Sequence, residues 1–253
     1  MNRTGASPMV RSKAAIVSTV VAAVVLACGT ARSAIVVFDR VTLSDQPVQL
    51  IVLTRGKLFP EGGQLVSVSV GGTRLKQLLT GGDGYGYLMY DPAESGIIGI
   101  SAEYKNGSDS GTLLVLDPQE QAILVDLDSA ARESVLSTGL RQDTRSALES
   151  LTKHYRIIYL HGLTGLALAR RWLEANRLPP SAVVSWQNAD RMKRLARNGV
   201  LLHAIIGSTE QMTASENYIR NRFSFEKTDA GRQVESWAEV LKALELEGAI
   251  DDD

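Results

Sequence analysis

The decapeptide "AILVDLDSAA", residues 122–131, runs four apolar residues into Asp126-Leu127-Asp128 and then loses its apolar character. An unbroken apolar run of this length is what a strand buried on both faces requires, as in a parallel sheet. Strand residues two apart share a face, so the spacing sends Asp126 and Asp128 to the same side. Ligands of open parallel sheets bind outside the carboxyl ends of the strands. The segment therefore poses fold and function together. It is either a reaction centre at the end of a buried strand or a strand terminus with two solvated carboxylates.

Downstream of Gln121, apolar strands alternate with helical patterns. "RIIYLHG", "AVVSW", "VLLHAIIG" and "RFSFE" are the further strands, and the spacing predicts helices over Thr144 to His154, Gly165 to Asn176, Ala189 to Asn198, Met212 to Asn221 and Val234 to Leu246. Alternation of this kind implies βαβ units and a parallel sheet covered on both faces. Residues 120–248 are expected to form a Rossmann-like α/β domain, followed by an acidic tail at 249–253.

Upstream the period is different. From 35 to 119, short runs such as "AIVVFDRVTL", "PVQLIVLTRG", "QLVSVSVGG" and "GTLLVLDP" are broken by "PEGG", "GGDGYG" and "KNGSDSG". Those breaks supply the glycines and Asx turns of an all-β sandwich. The stretch from Thr80 to Leu116 resembles bacterial immunoglobulin-like repeats, in which a glycine-turn strand, a "G-x-x-x-I-x-A" strand and a final strand follow in order. The resemblance implies a spacing, binding or presenting module.

Residues 1–34 are of another kind. Arg3, Arg11 and Lys13 precede an apolar or small-residue run from Ala14 to Cys28, the layout of a secretory signal. A membrane-spanning helix needs about 20 apolar residues, more than this run offers before Arg32. Val25-Leu26-Ala27-Cys28 resembles the lipobox of bacterial lipoproteins, which implies membrane anchoring through a lipidated Cys28. Signal-peptidase cleavage after Ala31 or Ser33 is the other reading. Both imply export, to the cell envelope or periplasm. Cys28 is the single cysteine, so the folded part has no disulfide. With 27 Lys+Arg against 28 Asp+Glu there is no basic field, and no base-reading module is present, so nucleic acid is not an expected partner.

The polar residues at the strand ends carry a second resemblance. Asp126-x-Asp128, His161 after the second strand, Lys193 ahead of the fourth and Glu210 in the turn after it are similar to the motif order of the haloacid dehalogenase (HAD) superfamily, over residues 122–246. The resemblance implies a phosphohydrolase. Asp126 would attack a phosphate monoester, and splitting the reaction through an aspartyl-phosphate makes two easier steps of one slow one. Asp128 would act as acid and then base, and His161 and Lys193 would hold the phosphate oxygens. Mg2+ would be held by Asp126, Asp128 and Glu210 and would offset charge repulsion. Three departures stand beside the match. Ser129-Ala130 replaces the usual Gly-Thr pair, His161 replaces Ser or Thr, and Gly207-Ser208-Thr209-Glu210 lacks the leading metal-binding aspartate.

"RIIYLHGLTGLALARRWLEANRLPP" is also similar to the second-motif region of the lipin branch of that superfamily, through Gly165, Ala167, Arg170 or Arg171, and Leu173. This resemblance implies a phospholipid such as phosphatidic acid as substrate or ligand, beside a phosphorylated small molecule. Read as plain sequence, Arg170-Arg171 and Arg191, Lys193, Arg194 and Arg197 are solvated helix faces, His203 is a core histidine and Trp186 is cover for the sheet edge. Two functions remain open: a magnesium-dependent phosphatase, or a binding or scaffolding protein whose HAD-like domain has lost its chemistry.

Overall fold

The computed structural model describes residues 34–56, 59–105, 107–133, 137–162, 165–186 and 189–248. The leader with Cys28, and the acidic tail at 249–253, lie outside the described residues.

The first unit is built from β1 (Ala34–Val37), β2 (Arg40–Leu43), β3 (Val48–Arg55), β4 (Leu65–Val70), β5 (Thr73–Arg74), β6 (Leu78–Leu79), β7 (Tyr85–Tyr90), β8 (Gly96–Tyr104) and β9 (Gly107–Leu116). They form a three-stranded sheet, β1-β3-β7, and a larger one, β2-β9-β8-β4-β5, with β6 on β4. Ile35, Val37, Leu50 and Val52 of the first sheet meet Val68, Ile100, Ala102, Leu113 and Val115 of the second in one buried core. The run "AIVVFDRVTL" is not one strand. It breaks at Phe38-Asp39 and changes sheets, so that β1 pairs antiparallel with β3 while β2 pairs parallel with β9.

The second unit holds β10 (Gln121–Asp126), β11 (Arg156–His161), β12 (Val183–Ser185), β13 (Leu201–Ile206), β14 (Asn221–Ser224) and β15 (Arg232–Gln233). All pair in parallel, in the order β12-β11-β10-β13-β14-β15. The acid-bearing strand β10 is therefore central, and the direction of winding reverses beside it, which is where ligands of such sheets bind. Its alternation feeds two cores. Ile123 and Val125 pack with α1 (Thr144–Leu151), α2 (Leu166–Ala175) and α5 (Trp237–Gly248), whereas Ala122 and Leu124 pack with α3 (Ala189–Arg197) and α4 (Thr209–Ser215). The helix expected from Met212 to Asn221 begins three residues earlier and ends at Ser215, and Asn221 opens a strand. Ser208 sets that start through a reciprocal capping box with Gln211.

The two units share a core. Along β9, Leu113 and Val115 point into the sandwich, while Leu114 and Leu116 point the other way and pack with Leu124, Ile158 and Leu160 of the parallel sheet. All four leucine and valine side chains are consequently buried, which is why "LLVL" shows no polar alternation. Among the described residues no helix is long and apolar enough to cross a membrane.

Candidate functional site

Past Asp126 the chain makes a single π turn, Leu127–Ala131, closed by Arg132 N–H donating to the Leu127 carbonyl at 3.2 Å. Asp126 caps it. The Ser129 N–H and hydroxyl donate to Asp126 Oδ2 at 2.9 and 2.7 Å, and Gln211 Nε2 donates to Oδ1 at 2.9 Å. Burial pushes the Asp126 carboxyl above its usual range, and the bonds from Ser129 and Gln211 pull against that. Asp128 is also buried. Its Oδ2 accepts from Gly162 N–H at 3.1 Å, and its Oδ1 lies 3.9 Å from Arg132 Nε. Arg132 is held in turn over the Trp172 ring at 4.6 Å. Arg141 fixes the turn from outside, donating to the Ala130 and Ser129 carbonyls at 3.2 and 3.3 Å.

The structure brings Asp126, Asp128 and the end of β11 together. His161 is buried at the end of β11 and lines the cleft described below, and its neighbour Gly162 donates its N–H to Asp128. Lys193 is half-buried on α3, and the ion-pair partner of Asp128 is Arg132 instead. Glu210 is exposed on the first turn of α4, where its Oε1 meets Trp186 Nε1 at 3.5 Å. Because α4 starts at Thr209, it is the next residue, Gln211, that turns inward onto Asp126.

These donors do not fit a magnesium ion. Hard cations need converging oxygens, and here one carboxylate has both oxygens occupied by hydroxyl, amide and backbone donors while a guanidinium stands beside the other. Among the described residues no group of three or more His, Cys, Asp or Glu is placed to hold a metal.

Arg170 corrects a further expectation. It is no solvated helix face: its side chain is 17% exposed and reaches into the β unit. It pairs with Asp39, donates to the Val37 and Ser110 carbonyls at 2.7 Å each, and lies 3.5 Å from Asp109. Asp39 also accepts from Thr112 N–H and Val183 N–H, both at 2.7 Å, so one carboxylate joins strands of both units. Burial raises its pKa against the pull of Arg170. Arg171, one residue on, is exposed as expected.

Beside this latch a cleft of about 570 Å³ opens between the units. Val36, Phe38 and Tyr85 line one wall, Leu166, Leu168 and Val184 the other. Arg40, Arg55 and Arg194 also face it, and Asp39, already paired with Arg170, is the one carboxylate among its described lining residues. A smaller chamber of about 80 Å³ adjoins it and shares Asp39, Arg40, Val184 and Arg194.

No protein-family model matches the chain, and no curated protein matches it. Among solved structures the chain is similar to the IG27 protein domain, at 12% identity over 34% of this chain and 99% of that one, with a TM-score of 0.28. It is likewise similar to domain I10 of titin, at 11% identity over 33% of this chain and 98% of that one, TM-score 0.26. A polysaccharide lyase matches over 34% of this chain at 9% identity and TM-score 0.28, and the match spans 12% of the lyase. The β unit is an immunoglobulin-like sandwich by its own strand order, with β2 joining the second sheet parallel to β9.

Sequence reasoning missed Gln211, Arg132 and Asp39. Ser208-x-x-Gln211 is a capping-box pattern and was the available signal for the first. His203 is half-buried and stacked on Tyr155 at 4.8 Å, and so is not the core histidine the sequence suggested, while Trp186 packs at the edge of the α3 and α4 core as cover.

Proposed function

We propose that the chain is an exported binding or scaffolding protein of the cell envelope, in which an immunoglobulin-like unit is fused to a HAD-like unit without phosphohydrolase chemistry. The central place of β10 in the parallel sheet and the acid pair at its carboxyl end support the HAD-like ancestry. One observation carries the loss of chemistry: both oxygens of Asp126 are taken up within the fold, by Ser129 and Gln211. An in-line nucleophile needs a lone pair directed at phosphorus and a cation to offset repulsion. Here the carboxylate is a cap, and Glu210, the acid after β13, is exposed.

The test is turnover of an aryl phosphate and of phosphatidic acid by the purified chain, with and without Mg2+. No release of phosphate above blank, unchanged by Asp126→Asn, is the expected result. Magnesium-dependent hydrolysis abolished by Asp126→Asn would restore the phosphatase reading.

A further inference from the structure

We infer that the cleft between the two units is a binding site for a single-tailed amphipathic anion, with the headgroup between Arg40 and Arg194 and the apolar chain along Phe38, Tyr85, Leu166 and Leu168. This rests on the binding reading above in that the cleft, and not the acid pair, is the occupied site.

The charge arrangement is the first ground. Arg40 and Arg194 stand close enough for Arg194 to act electrostatically on Arg40, and both face the small chamber as well as the main cleft. Two guanidiniums beside one cavity repel each other, and the repulsion grows as water is excluded. The Arg40 Nε–H is buried and meets no acceptor among the described residues. A buried donor without an acceptor costs stability, and an anion lodged there would supply both the acceptor and the opposite charge. Arg55, exposed at the mouth, adds a third cation, whereas Asp39 is neutralised by Arg170 and offers no competing repulsion.

The shape is the second ground. The main cleft has the size of a small-molecule site. Away from the arginines, Asp39, His161 and Ser185, its walls are apolar and aromatic, and Phe38 stacks on Tyr85 with centroids 6.2 Å apart. Leu168 is 59% exposed on its rim, where a solvated helix face would carry a polar residue. A small polar chamber opening into a larger apolar one matches a charged head with one hydrocarbon tail. The head is a carboxylate or a phosphate monoester, since guanidinium suits both.

The experiment is calorimetric titration of the full chain with decanoate, decyl phosphate and decyltrimethylammonium, each below its micelle concentration. Saturable one-to-one binding of the two anions and none of the cation is expected, and the stronger of the two anions identifies the headgroup. Arg40→Gln should weaken binding about tenfold or more. Arg55→Glu and Leu168→Ser, both at exposed positions, should also weaken it with the circular dichroism unchanged. Equal affinity for the cation, non-saturable uptake, or folded variants that bind as the parent does would each overturn the assignment. Decyl phosphate separates the two proposals, because its hydrolysis would count against the loss of chemistry while its failure to bind would count against this site.

Discussion

Gln211 Nε2 donates to Asp126 Oδ1 at 2.9 Å, joining the first turn of α4 to the end of β10 across 85 positions of sequence. The same side chain accepts from Ser208 N–H through Oε1 at 2.9 Å, so a single amide caps its own helix and saturates the central carboxylate. A residue with one donor end and one acceptor end is required there. Glutamate would cap the helix equally well but would set a second negative charge against Asp126.

Gln211→Ala leaves Asp126 Oδ1 buried without a donor and removes half of the capping box. The combined loss should be about 2–4 kcal/mol, the sum of an orphaned buried acceptor and a cap. Gln211→Glu should lose at least as much at neutral pH and recover as the pH falls and the carboxyls are protonated. Urea titrations at two pH values distinguish these cases.

Gly207 stands where any side chain would collide with that amide: a Cβ there would overlap Gln211 Oε1 and lie 3.3 Å from the Asp126 Cβ. Gly207→Ala should therefore reproduce the destabilisation of Gln211→Ala, although it deletes no hydrogen-bonding group. In the double variant the two losses should be far from additive, since both remove the same contact. Full additivity in a thermodynamic cycle would show that Gly207 acts on something else.

Asp126 supplies a test by pH. Its folded pKa is raised above 3.8, the ordinary value, chiefly by burial. Below 3.8 folded and unfolded chains are both protonated at this group, and its stability contribution is fully present. As the pH rises through the folded pKa that contribution is lost, because the unfolded chain releases the proton first. Asp126→Asn carries no such titration. It pays a constant cost for an amide donor facing Gln211 Nε2, but its stability relative to the parent should improve as the pH rises from 3.8 through the folded pKa and then level off. A difference that is flat across that window would contradict the placement of Asp126 as a buried carboxylate.

Those consequences lay only partly within reach of the sequence. The parallel strands announced themselves because β10 and β11 are buried on both faces and show no polar alternation, whereas β15 is a pair of exposed residues with no apolar signal to find. Asp126 and Asp128 are neighbours in the sequence, but β10 ends at Asp126 and Asp128 lies in the π turn, so the alternation of one strand does not place them. The outward turn of Glu210 was not legible, since it depends on where α4 begins, and a one-residue change of phase on a helix turns a side chain by about 100°. Arg170 looked solvated because its acid partner lies 131 positions away in the other unit. Asp39 in turn lay unremarked inside "AIVVFDRVTL", since the change of sheet at Phe38-Asp39 leaves no mark in an otherwise continuous apolar run.

The Arg170 and Asp39 pair gives the last prediction. Asp39 is 1% exposed at its side chain and accepts from strands of both units, so removing its cation strands a buried carboxylate. Arg170→Ala should cost about 3–5 kcal/mol. Asp39→Asn should cost less, because the guanidinium keeps the Val37 and Ser110 carbonyls as acceptors. Gly111→Ala tests the same joint without touching either charge: a Cβ there would stand 2.8 Å from Val37 Cγ1 and 2.9 Å from both Arg170 Nη2 and Asp39 Oδ1. The readout follows from where the fluorophores lie. All three tryptophans, Trp172, Trp186 and Trp237, belong to the α/β unit, while circular dichroism reports on both units. In the parent chain the shared core of β9 should make fluorescence and dichroism unfold together. In Arg170→Ala the fluorescence midpoint should separate from the dichroism midpoint, and coincident midpoints at reduced stability would mean that β9 alone couples the units.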